Sequence, residues 1–263
     1  MERNIEIAVI PVAGKGTRSY PITKVISKTM FPIVNKPVVH YLLEELISAN
    51  IKEVILVLNK SQKDIIKYLK KTPDLISKIK IHYIYQQIPR GIGDALLRCK
   101  KIIKQRDFCL LLGDDLICCD NVCYGIKNLI EEYIVRNTSI LGVKEIQVEE
   151  TNKYGIVDVV ENKVLRVVEK PKVNPPSNKA LIGRYIFKNT FYDYLSKVVL
   201  DNENEIKITD AINLMSSKEN IYIKELNDIR FDIGNIVDYI LANIKYLNID
   251  DKKEIKKKLH YFM

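Results

Sequence analysis

The sequence lacks any apolar run near the roughly 20 residues that a membrane-spanning helix needs. Its apolar runs are short, such as IAVIPVA and CLLLG. The first residues, MERNIEIAV, carry acidic side chains where a secretory signal peptide has a basic end. We therefore expect a cytoplasmic protein without membrane association.

Glycine and proline are also few, with 10 and 9 residues among 263. With 47% hydrophobic and 29% charged residues, the composition is that of an ordinary globular protein rather than a fibrous or disordered one. Single hydrophobic cores stop growing at about 250 to 300 residues, and no repeat or linker divides this chain. The sequence predicts one domain over residues 1–263.

The cysteines lack the paired C-x-x-C spacing of structural zinc sites. Their number is odd and they crowd into one quarter of the chain, which argues against a disulfide framework. The cysteines are Cys99, Cys109, Cys118, Cys119 and Cys123. We expect neither disulfides nor a metal role for Cys118, Cys119 and Cys123.

The formal net charge of +9 is compatible with nucleic-acid binding. Binding of single strands interleaves aromatic residues with cations along one face, but the tyrosines here are scattered and the basic run KKEIKKK lies near the C-terminal end. We therefore expect a solvated terminal helix and no nucleic-acid partner.

Short runs rich in β-branched residues alternate with amphipathic segments in the first half of the chain. The runs predict strands buried on both faces, and the alternation indicates a parallel sheet with helices on its faces. The predicted strands are IEIAVIPVA, EVILVLN (53–59), KIHYIYQ (80–86) and FCLLLGDD (108–115). The predicted helices are PVVHYLLEELISAN (37–50) and SQKDIIKYLKK (61–71), the second opening with a Ser61–Asp64 pair that resembles a capping box.

The pattern changes after residue 138. SILGVKEI, GIVDVVENKVLRVVEKP and ALIGRYIF predict strands without long helices between them, so this part of the sheet should be mixed or antiparallel. Helices are predicted at 209–219 and from 235 to the end.

Residues 14–37, GKGTRSYPITKVISKTMFPIVNKP, contain five cationic side chains and no acidic one. The stretch follows the first predicted strand, and ligands of parallel α/β sheets bind at the carboxyl ends of the strands. Gly14 and Gly16 would let backbone N–H groups approach a ligand closely, and Arg18 and Lys28 add charge, so the segment predicts a phosphate site. It is neither a Walker A loop nor a complete G-x-G-x-x-G fingerprint, and a simple tight turn is the alternative.

Acidic residues end two other predicted strands. Asp114 and Asp115 follow LLLG, and Asp232 lies in RFDIG. Two carboxylates together with phosphate oxygens form the octahedral site that Mg²⁺ prefers, so Asp114 and Asp232 are predicted metal ligands and a role for Asp115 is left open. The alternative is that these aspartates cap a turn and the last long helix.

Glu169 and Lys170 end a further strand. A glutamate beside a lysine offers an acceptor for sugar hydroxyls and a cation for a phosphate. The alternative is an exposed ion pair of little energetic consequence.

Together these segments resemble the sugar nucleotidyltransferases, most closely the bacterial UTP:glucose-1-phosphate uridylyltransferases, over about residues 6–248. The opening stretch is similar to the family signature G-x-G-T-R, Pro, Thr-Lys, Lys, Met, Pro, Lys-Pro. The matching residues are Gly14, Gly16, Thr17, Arg18, Pro21, Thr23, Lys24, Lys28, Met30, Pro32, Lys36 and Pro37. NKYGIVD, EIKITDAI and RFDIGNIVDYILANIKYL also resemble the uridylyl branch.

The resemblance implies a Rossmann-like three-layer α/β/α nucleotidyltransferase fold. Its central sheet would be mixed and mostly parallel, with a small additional β region in the C-terminal half. Residues 1–138 would form mainly the nucleotide-binding half, 139–234 the sugar-phosphate-binding half and 235–263 the C-terminal helices.

The resemblance also implies a role for each matching residue. Nucleotide binding would fall to Ala13, Gly14, Gly16, Thr17, Gln86 and Gly91. The catalytic residues would be Arg18, Lys28, Asp114, Lys170 and Asp232, of which Asp114 and Asp232 would hold Mg²⁺. The sugar-binding residues would be Gly155, Glu169 and Lys170.

The implied reaction joins UTP and glucose 1-phosphate to give UDP-glucose and pyrophosphate. The protein is expected to be a homo-oligomer, a dimer or tetramer. Its nucleophile is a phosphate oxygen that is already anionic, so a chain with only three histidines can catalyse it without a general base. Ser27 and Gly113 depart from the uridylyl pattern and resemble thymidylyltransferases, which leaves base choice open. A silent UDP-sugar-binding regulator is the alternative from another class.

Overall fold

The computed structural model describes residues 4–118 and 125–259. Its strands are β1 (Ile7–Pro11), β2 (Pro32–Ile33), β3 (Lys36–Pro37), β4 (Glu53–Leu58), β5 (Lys80–Tyr85), β6 (Phe108–Leu111), β7 (Asp115–Cys118), β8 (Ile140–Glu145), β9 (Gly155–Val160), β10 (Lys163–Glu169), β11 (Lys179–Phe187), β12 (Tyr222–Glu225) and β13 (Ile229–Asp232). Its α-helices are α1 (Val38–Ser48), α2 (Lys63–Lys70), α3 (Pro73–Ile76), α4 (Gly91–Ile103), α5 (Gly125–Arg136), α6 (Phe191–Leu195), α7 (Ile208–Ser216), α8 (Ile236–Tyr246) and α9 (Ile249–Leu259). Short 3-10 helices lie at Thr17–Ser19, Ile22–Lys24, Lys28–Met30 and Val148–Lys153.

Nine of the described strands form one sheet in the order β5-β4-β1-β6-β11-β8-β12-β10-β9. The first four are parallel to one another, as the alternation of strands and helices predicts. Strand β11 is antiparallel to β6 and to β8, and β9 and β10 form an antiparallel hairpin at the edge. The predicted change from parallel to mixed pairing after residue 138 is therefore confirmed.

Side chains of β1 alternate between two hydrophobic cores, one on each face of the sheet. Ala8 and Ile10 belong to the core that α1, α2 and α5 cover. Ile7 and Val9 belong to the core that α4, α6 and α7 cover. Successive side chains of this central strand point to opposite faces of the sheet and are apolar on both, so helices must cover both faces. The predicted three-layer arrangement is confirmed.

One predicted strand is less buried than its sequence indicates. The run KIHYIYQ was expected to lie buried on both faces, but β5 is the edge strand and pairs with β4 alone among the described strands. The expectation is wrong because an apolar run reports hydrophobicity and not the position of a strand in its sheet.

The segment predicted as C-terminal helices, from residue 235 on, forms two helices within the described residues. Helix α8 ends at Tyr246 and α9 begins at Ile249, where the Asn248 side chain accepts hydrogen bonds from the N–H groups of Asp250 and Asp251. Asn248 thus caps a new helix. The helix predicted at 209–219 begins at Ile208 and ends earlier than predicted, at Ser216.

The capping box expected at Ser61 and Asp64 is wrong. Helix α2 begins at Lys63, and the Ser61 hydroxyl donates to the Asn59 side chain instead. The Asp64 carboxylate accepts two hydrogen bonds from Ser27, a residue distant in sequence. A local motif cannot reveal such a long-range partner.

Among residues 4–118 and 125–259, no helix combines the length and apolar character needed to cross a membrane. Cys118 is buried at the end of β7, whereas Cys119 and Cys123 lie outside the described residues.

Candidate active site

The loop after β1 is closed by a hydrogen bond between its own residues. The Thr23 hydroxyl donates to the Gly16 carbonyl at 2.8 Å, and Gly16 has a φ of 62°. A Cβ at Gly16 would lie 2.9 Å from the Thr23 methyl carbon. Glycine is therefore required here by backbone conformation and by contact, directly before the short Thr17–Ser19 helix.

Two cations and two carboxylates meet beside this turn. The Lys28 ammonium lies 2.7 Å from Asp114 Oδ2 and 3.7 Å from Asp232 Oδ1. The Arg18 guanidinium lies 3.0 Å from Asp232 Oδ2 and 3.9 Å from Asp114 Oδ2. The fold thus brings four of the five predicted catalytic residues together, and Lys170 lies at the end of the β9–β10 hairpin described below.

The cluster borders a pocket of about 240 Å³. Its lining includes predicted nucleotide and catalytic residues, namely Gly14, Gly16, Thr17, Arg18, Lys28 and Asp114. Ala13 is buried and, with Gly14, lines an adjoining pocket of about 180 Å³ that also contacts Ser27 and Asp64. Backbone N–H groups and two cations around a concave surface form a site suited to phosphate oxygens.

Asp232 remains ionised in these surroundings. Burial alone would raise the pKa of its carboxyl group, but the Lys28 charge, the hydrogen bond from Gly234 N–H and the Arg18 guanidinium together hold that pKa below its usual range. A pocket that stabilises the ionised carboxylate keeps it available as a ligand for a cation.

The two carboxylates are held near each other by a two-stranded antiparallel ribbon, β7 with β13. Its register pairs Asp115 with Asp232, and the Ile233 N–H donates to the Asp114 carbonyl at 2.9 Å. Asp232 does not cap α8, since Asn235 accepts hydrogen bonds from the first N–H groups of that helix. The alternative capping role for Asp232 is therefore wrong.

Asp115 is directed away from this cluster. One carboxylate oxygen lies 2.7 Å from the Arg230 guanidinium and the other accepts the Gly183 N–H at 2.8 Å. The Arg184 guanidinium donates to the Asp115 backbone carbonyl. Because both carboxylate oxygens are engaged in the interior, Asp115 acts as an anchor of β7 and is not placed as a metal ligand.

Arg230 connects the ribbon with Tyr154, the residue directly before β9. Its guanidinium lies 4.9 Å from the centre of the Tyr154 ring. Burial opposes its charge, but Asp115 and Tyr154 raise the pKa of Arg230, so it stays protonated. The Tyr154 carbonyl in turn accepts the Lys170 N–H at 3.0 Å.

The predicted sugar-binding residues lie together at one end of the β9–β10 hairpin. Gly155 pairs directly with Glu169 in the antiparallel register. A Cβ at Gly155 would lie 3.3 Å from Glu169 Oε2. The Lys170 ammonium lies 3.8 Å from the Glu169 carboxylate and is largely exposed, so the ion pair named as the alternative is present and leaves both groups accessible to a ligand.

Gln86 and Gly91 also lie together, at the carboxyl end of β5. The buried Gln86 amide donates to the Gly91 carbonyl at 3.1 Å and to Asp94 Oδ2 at 2.7 Å. Gly91 has a φ of 81°, and a Cβ there would lie 2.9 Å from the Ile206 carbonyl oxygen. The Gln86 amide is therefore held in one orientation.

Asp114 and Asp232 have the right chemistry for a divalent cation. Their carboxylate oxygens converge on the same Lys28 ammonium, which shows that the pair holds positive charge at one point. Within the described ranges no group of three or more His, Cys, Asp or Glu residues could bind a metal by itself. A hard cation that shares its coordination with phosphate oxygens and water fits such a two-carboxylate set.

Sequence reasoning missed several charged residues that support the site. Arg184 interrupts the apolar run ALIGRYIF, and Glu45 interrupts the apolar face of α1, yet both were treated only as parts of their elements. A charge inside an apolar pattern is a usable signal, because such a residue must find a partner in the interior. The Asp64–Ser27 and Asp115–Arg230 pairs have no comparable local signal.

The fold and the cluster define a nucleotide-binding α/β protein built to hold a polyphosphate at the carboxyl end of its sheet. The family model described as Nucleotidyl transferase matches residues 7–249. The chain belongs to the nucleotidyl transferase family.

Two curated relatives match nearly the whole chain. It is 33% identical to the UTP--glucose-1-phosphate uridylyltransferase of Bacillus subtilis, over 99% of this chain and 97% of the relative. It is 34% identical to the UTP--glucose-1-phosphate uridylyltransferase 1 of Staphylococcus saprophyticus, over 95% of this chain and 96% of the relative.

Solved structures agree. A UDP-glucose pyrophosphorylase complexed with UDP-glucose superposes with a TM-score of 0.86 and 31% identity, covering 92% of this chain and 98% of that chain. The UTP-bound UGPase from Acinetobacter baumannii superposes with a TM-score of 0.82 and 27% identity, covering 96% and 99%. The predicted nucleotidyltransferase fold and the predicted family are confirmed.

Proposed function

We propose that this chain is an enzyme that makes UDP-glucose and pyrophosphate from UTP and glucose 1-phosphate. The observation that carries the proposal is the convergence of Lys28 and Arg18 on Asp114 and Asp232. We infer the two substrates from the names of relatives that match nearly the whole chain.

The reaction needs two polyanions held in line and charge neutralised on the phosphoryl group that is transferred. An oxygen of glucose 1-phosphate attacks the α-phosphorus of UTP, the new P–O bond forms, and the bond to pyrophosphate breaks. In our proposal Lys28 and Arg18 hold the triphosphate oxygens, and Lys170 holds the phosphate of the sugar. No proton has to be removed from the nucleophile.

Asp114 and Asp232 would hold a divalent cation, which we propose to be Mg²⁺. When bound, that ion supplies positive charge against the triphosphate oxygens. The carboxylates would keep this ion and the two cationic side chains at one place, so that little reorganisation would be needed during the reaction.

Recognition of the two substrates is proposed for separate groups. Ala13, Gly14, Gly16 and Thr17 would bind the nucleotide through the glycine loop, and Gln86 with Gly91 would contact its base. On the other side, Gly155 leaves room beside Glu169, whose carboxylate would accept hydrogen bonds from hexose hydroxyls.

The test is release of pyrophosphate by the purified protein with Mg²⁺, with UTP and dTTP each combined with glucose 1-phosphate and galactose 1-phosphate. We expect rapid release with UTP and glucose 1-phosphate. A preference for dTTP would instead assign the chain to the thymidylyl branch, as Ser27 and Gly113 suggest. Binding of UDP-glucose without release from any pair would indicate a silent regulator.

We also propose that the protein is a cytoplasmic homo-oligomer, a dimer or tetramer. Helix α8 supports this proposal because several of its large apolar side chains are exposed. They are Ile236, Val237, Ile240 and Leu241. The test is light scattering coupled to size-exclusion chromatography. A measured mass equal to that of one chain would contradict the proposed oligomer.

A further inference from the structure

A single carboxylate from α2 accepts hydrogen bonds from both donors of the residue that precedes Lys28, its backbone N–H and its hydroxyl. Asp64 Oδ2 accepts the Ser27 backbone N–H at 2.7 Å, and Asp64 Oδ1 accepts the Ser27 hydroxyl at 2.7 Å. Hydrogen bonds to a charged acceptor are stronger than those between neutral groups. Two of them to one carboxylate fix the orientation of Ser27 as well as its position.

Asp64 is itself attached to a rigid part of the fold. Two α2 side chains close to it, Ile65 and Leu69, are completely buried in the core. Just before the helix, the Gln62 amide donates to the Val12 carbonyl at 2.6 Å and its oxygen accepts the Asn59 N–H at 2.7 Å. The start of α2 is thereby tied to the end of β1.

The loop segment that leads to this contact is partly exposed, although Ile26 packs against the core that α1, α2 and α5 cover. Val25, two residues before Ser27, is 91% exposed. Directly after Ser27 comes Lys28, whose ammonium contacts both Asp114 and Asp232. The contact with Asp64 therefore lies between an exposed part of the loop and its most buried cation.

The loop cannot supply such a contact from its own residues. Residues 14–37 contain five cations and no acidic side chain. A carboxylate that is to bind this segment must come from another element, and in this chain Asp64 of α2 does so.

We propose that the Asp64–Ser27 contact, hereafter the clamp, positions Lys28 for the triphosphate. Asp64 and Ser27 are positioning residues, since in this assignment they act through Lys28 and do not touch substrate. The inference rests on the proposed function for its kinetic consequences. A positioned cation loses less freedom when substrate binds, and a misplacement of about 1 Å can cost about 100-fold in rate.

Three variants separate the two hydrogen bonds. Asp64→Ala removes both, and Ser27→Ala removes only the bond from the hydroxyl. Asp64→Asn keeps the size of the side chain and removes the charge that both hydrogen bonds reach. Asp210→Ala is the matched control, since Asp210 is an exposed aspartate in the first turn of α7.

We expect Asp64→Ala to lower kcat about tenfold, and Asp64→Asn and Ser27→Ala about threefold, with the KM for glucose 1-phosphate changed by less than about twofold. Asp210→Ala should match the parent. Wild-type kcat in Asp64→Ala would overturn the proposal. If Asp64→Ala fails to fold, wild-type kcat in both Asp64→Asn and Ser27→Ala would overturn it.

A double-mutant cycle with Lys28→Ala distinguishes an effect that acts through Lys28 from a general effect on the structure. If the clamp acts through Lys28, Asp64→Ala should change the residual rate of Lys28→Ala by less than about twofold. The same tenfold loss in both backgrounds would overturn the assignment.

Hydrogen exchange of the nucleotide-free protein gives a readout independent of activity. Peptides that cover residues 24–30 should exchange faster in Asp64→Ala than in Asp210→Ala. If the parent shows no turnover with any substrate pair, the proposed function fails, and this exchange result alone decides whether the clamp orders the loop. Equal exchange in the two variants would overturn the clamp.

Discussion

Among the cations of residues 14–37, Lys28 has the most constrained position. Its side chain is 12% exposed and it reaches both Asp114 and Asp232. Arg18 makes the same two contacts from a side chain that is 63% exposed. At the scale of single residues, Lys28 is therefore the cation whose removal should be most informative.

Lys28→Ala should lower kcat by about 100- to 1000-fold, because a preorganised charge is lost from the site of transfer. Asp114→Ala should have an effect of similar size. The measurement is steady-state release of pyrophosphate, with circular dichroism to verify folding. The control is Lys218→Ala, which changes an exposed lysine just after α7. Near wild-type rates in either site variant would remove the basis for the proposed function.

Gly155→Ala should raise the KM for glucose 1-phosphate by about tenfold and leave the KM for UTP within about twofold. The added methyl group would lie 3.2 Å from Leu181 Cδ1 and 3.3 Å from Glu169 Oε2, and one methyl group in a specificity pocket is worth about 10-fold or more. Val160→Ala, at the other end of β9, is the control. An increased KM for UTP alone would place the sugar elsewhere.

At the scale of secondary-structure elements, a buried ion pair joins α1 with β11. Glu45 and Arg184 are almost completely inaccessible to solvent, and two hydrogen bonds of 2.8 and 2.6 Å connect them. Glu45 also accepts the N–H of Ile126 near the start of α5, and Arg184 donates to the Asp115 carbonyl. The pair thus connects two helices and the sheet to the residue beside Asp114.

Glu45→Ala should lower the free energy of unfolding by about 3–5 kcal/mol, because it removes the carboxylate that balances the charge of the buried Arg184 guanidinium. The double variant Glu45→Leu with Arg184→Met should cost clearly less than the sum of its single changes, since no uncompensated charge remains. Urea denaturation measures all of these values. Strictly additive costs would mean that the two residues stabilise the fold independently.

A second ionic contact joins β4, β5 and the segment after α4. Glu53 Oε1 lies 2.8 Å from Arg106 and Oε2 lies 2.7 Å from His82. The hydrogen bond from Arg106, followed by that from His82, holds the pKa of the Glu53 carboxyl below its ordinary value of 4.5. A group with a lowered folded pKa stabilises the protein above its unfolded pKa, and this contribution is lost as the pH falls through the folded pKa.

Glu53→Gln should therefore be less stable than the parent by about 1 kcal/mol at about pH 7. The difference should shrink once the pH falls below 4.5 and disappear at still lower pH. Urea denaturation across this range provides the measurement, with the exposed Glu149→Gln as control. A difference that stays constant with pH would show that the carboxylate charge is not responsible.

At the scale of the whole molecule, both cores combine the two halves of the chain. The first core contains Ile5 and Phe231, and the second contains Ile7 and Ile223. We propose that residues 1–263 fold as one domain, in which 1–138 bind mainly the nucleotide, 139–234 the sugar phosphate, and 235–263 are the C-terminal helices. The continuous sheet across the first two parts supports this proposal.

A single domain predicts one unfolding transition. Tyrosine fluorescence and far-ultraviolet circular dichroism should give the same urea midpoint, because neither half keeps a complete core without the other. Two separated midpoints would contradict the proposal and indicate that the halves unfold independently.

The sequence by itself determined the alternation of strands with helices in the first half, the change to mixed pairing, the cationic stretch at residues 14–37 and the carboxylates at strand ends. These features depend on periodicity and on local motifs, which are complete within a few residues. The resemblance to a family added the grouping of Gln86 with Gly91 and of Gly155 with Glu169. The structure brings together both of these pairs.

Only the tertiary structure decided which charged groups pair. Asp64 has the local signature of a helix cap but binds Ser27, 37 residues away, and Glu45 binds Arg184, 139 residues away. It also decided that Asp115 faces the interior while Asp114 faces the pocket. Partner choice over such distances depends on how the sheet, the ribbon and the helices pack together, and no local pattern in the chain records that arrangement.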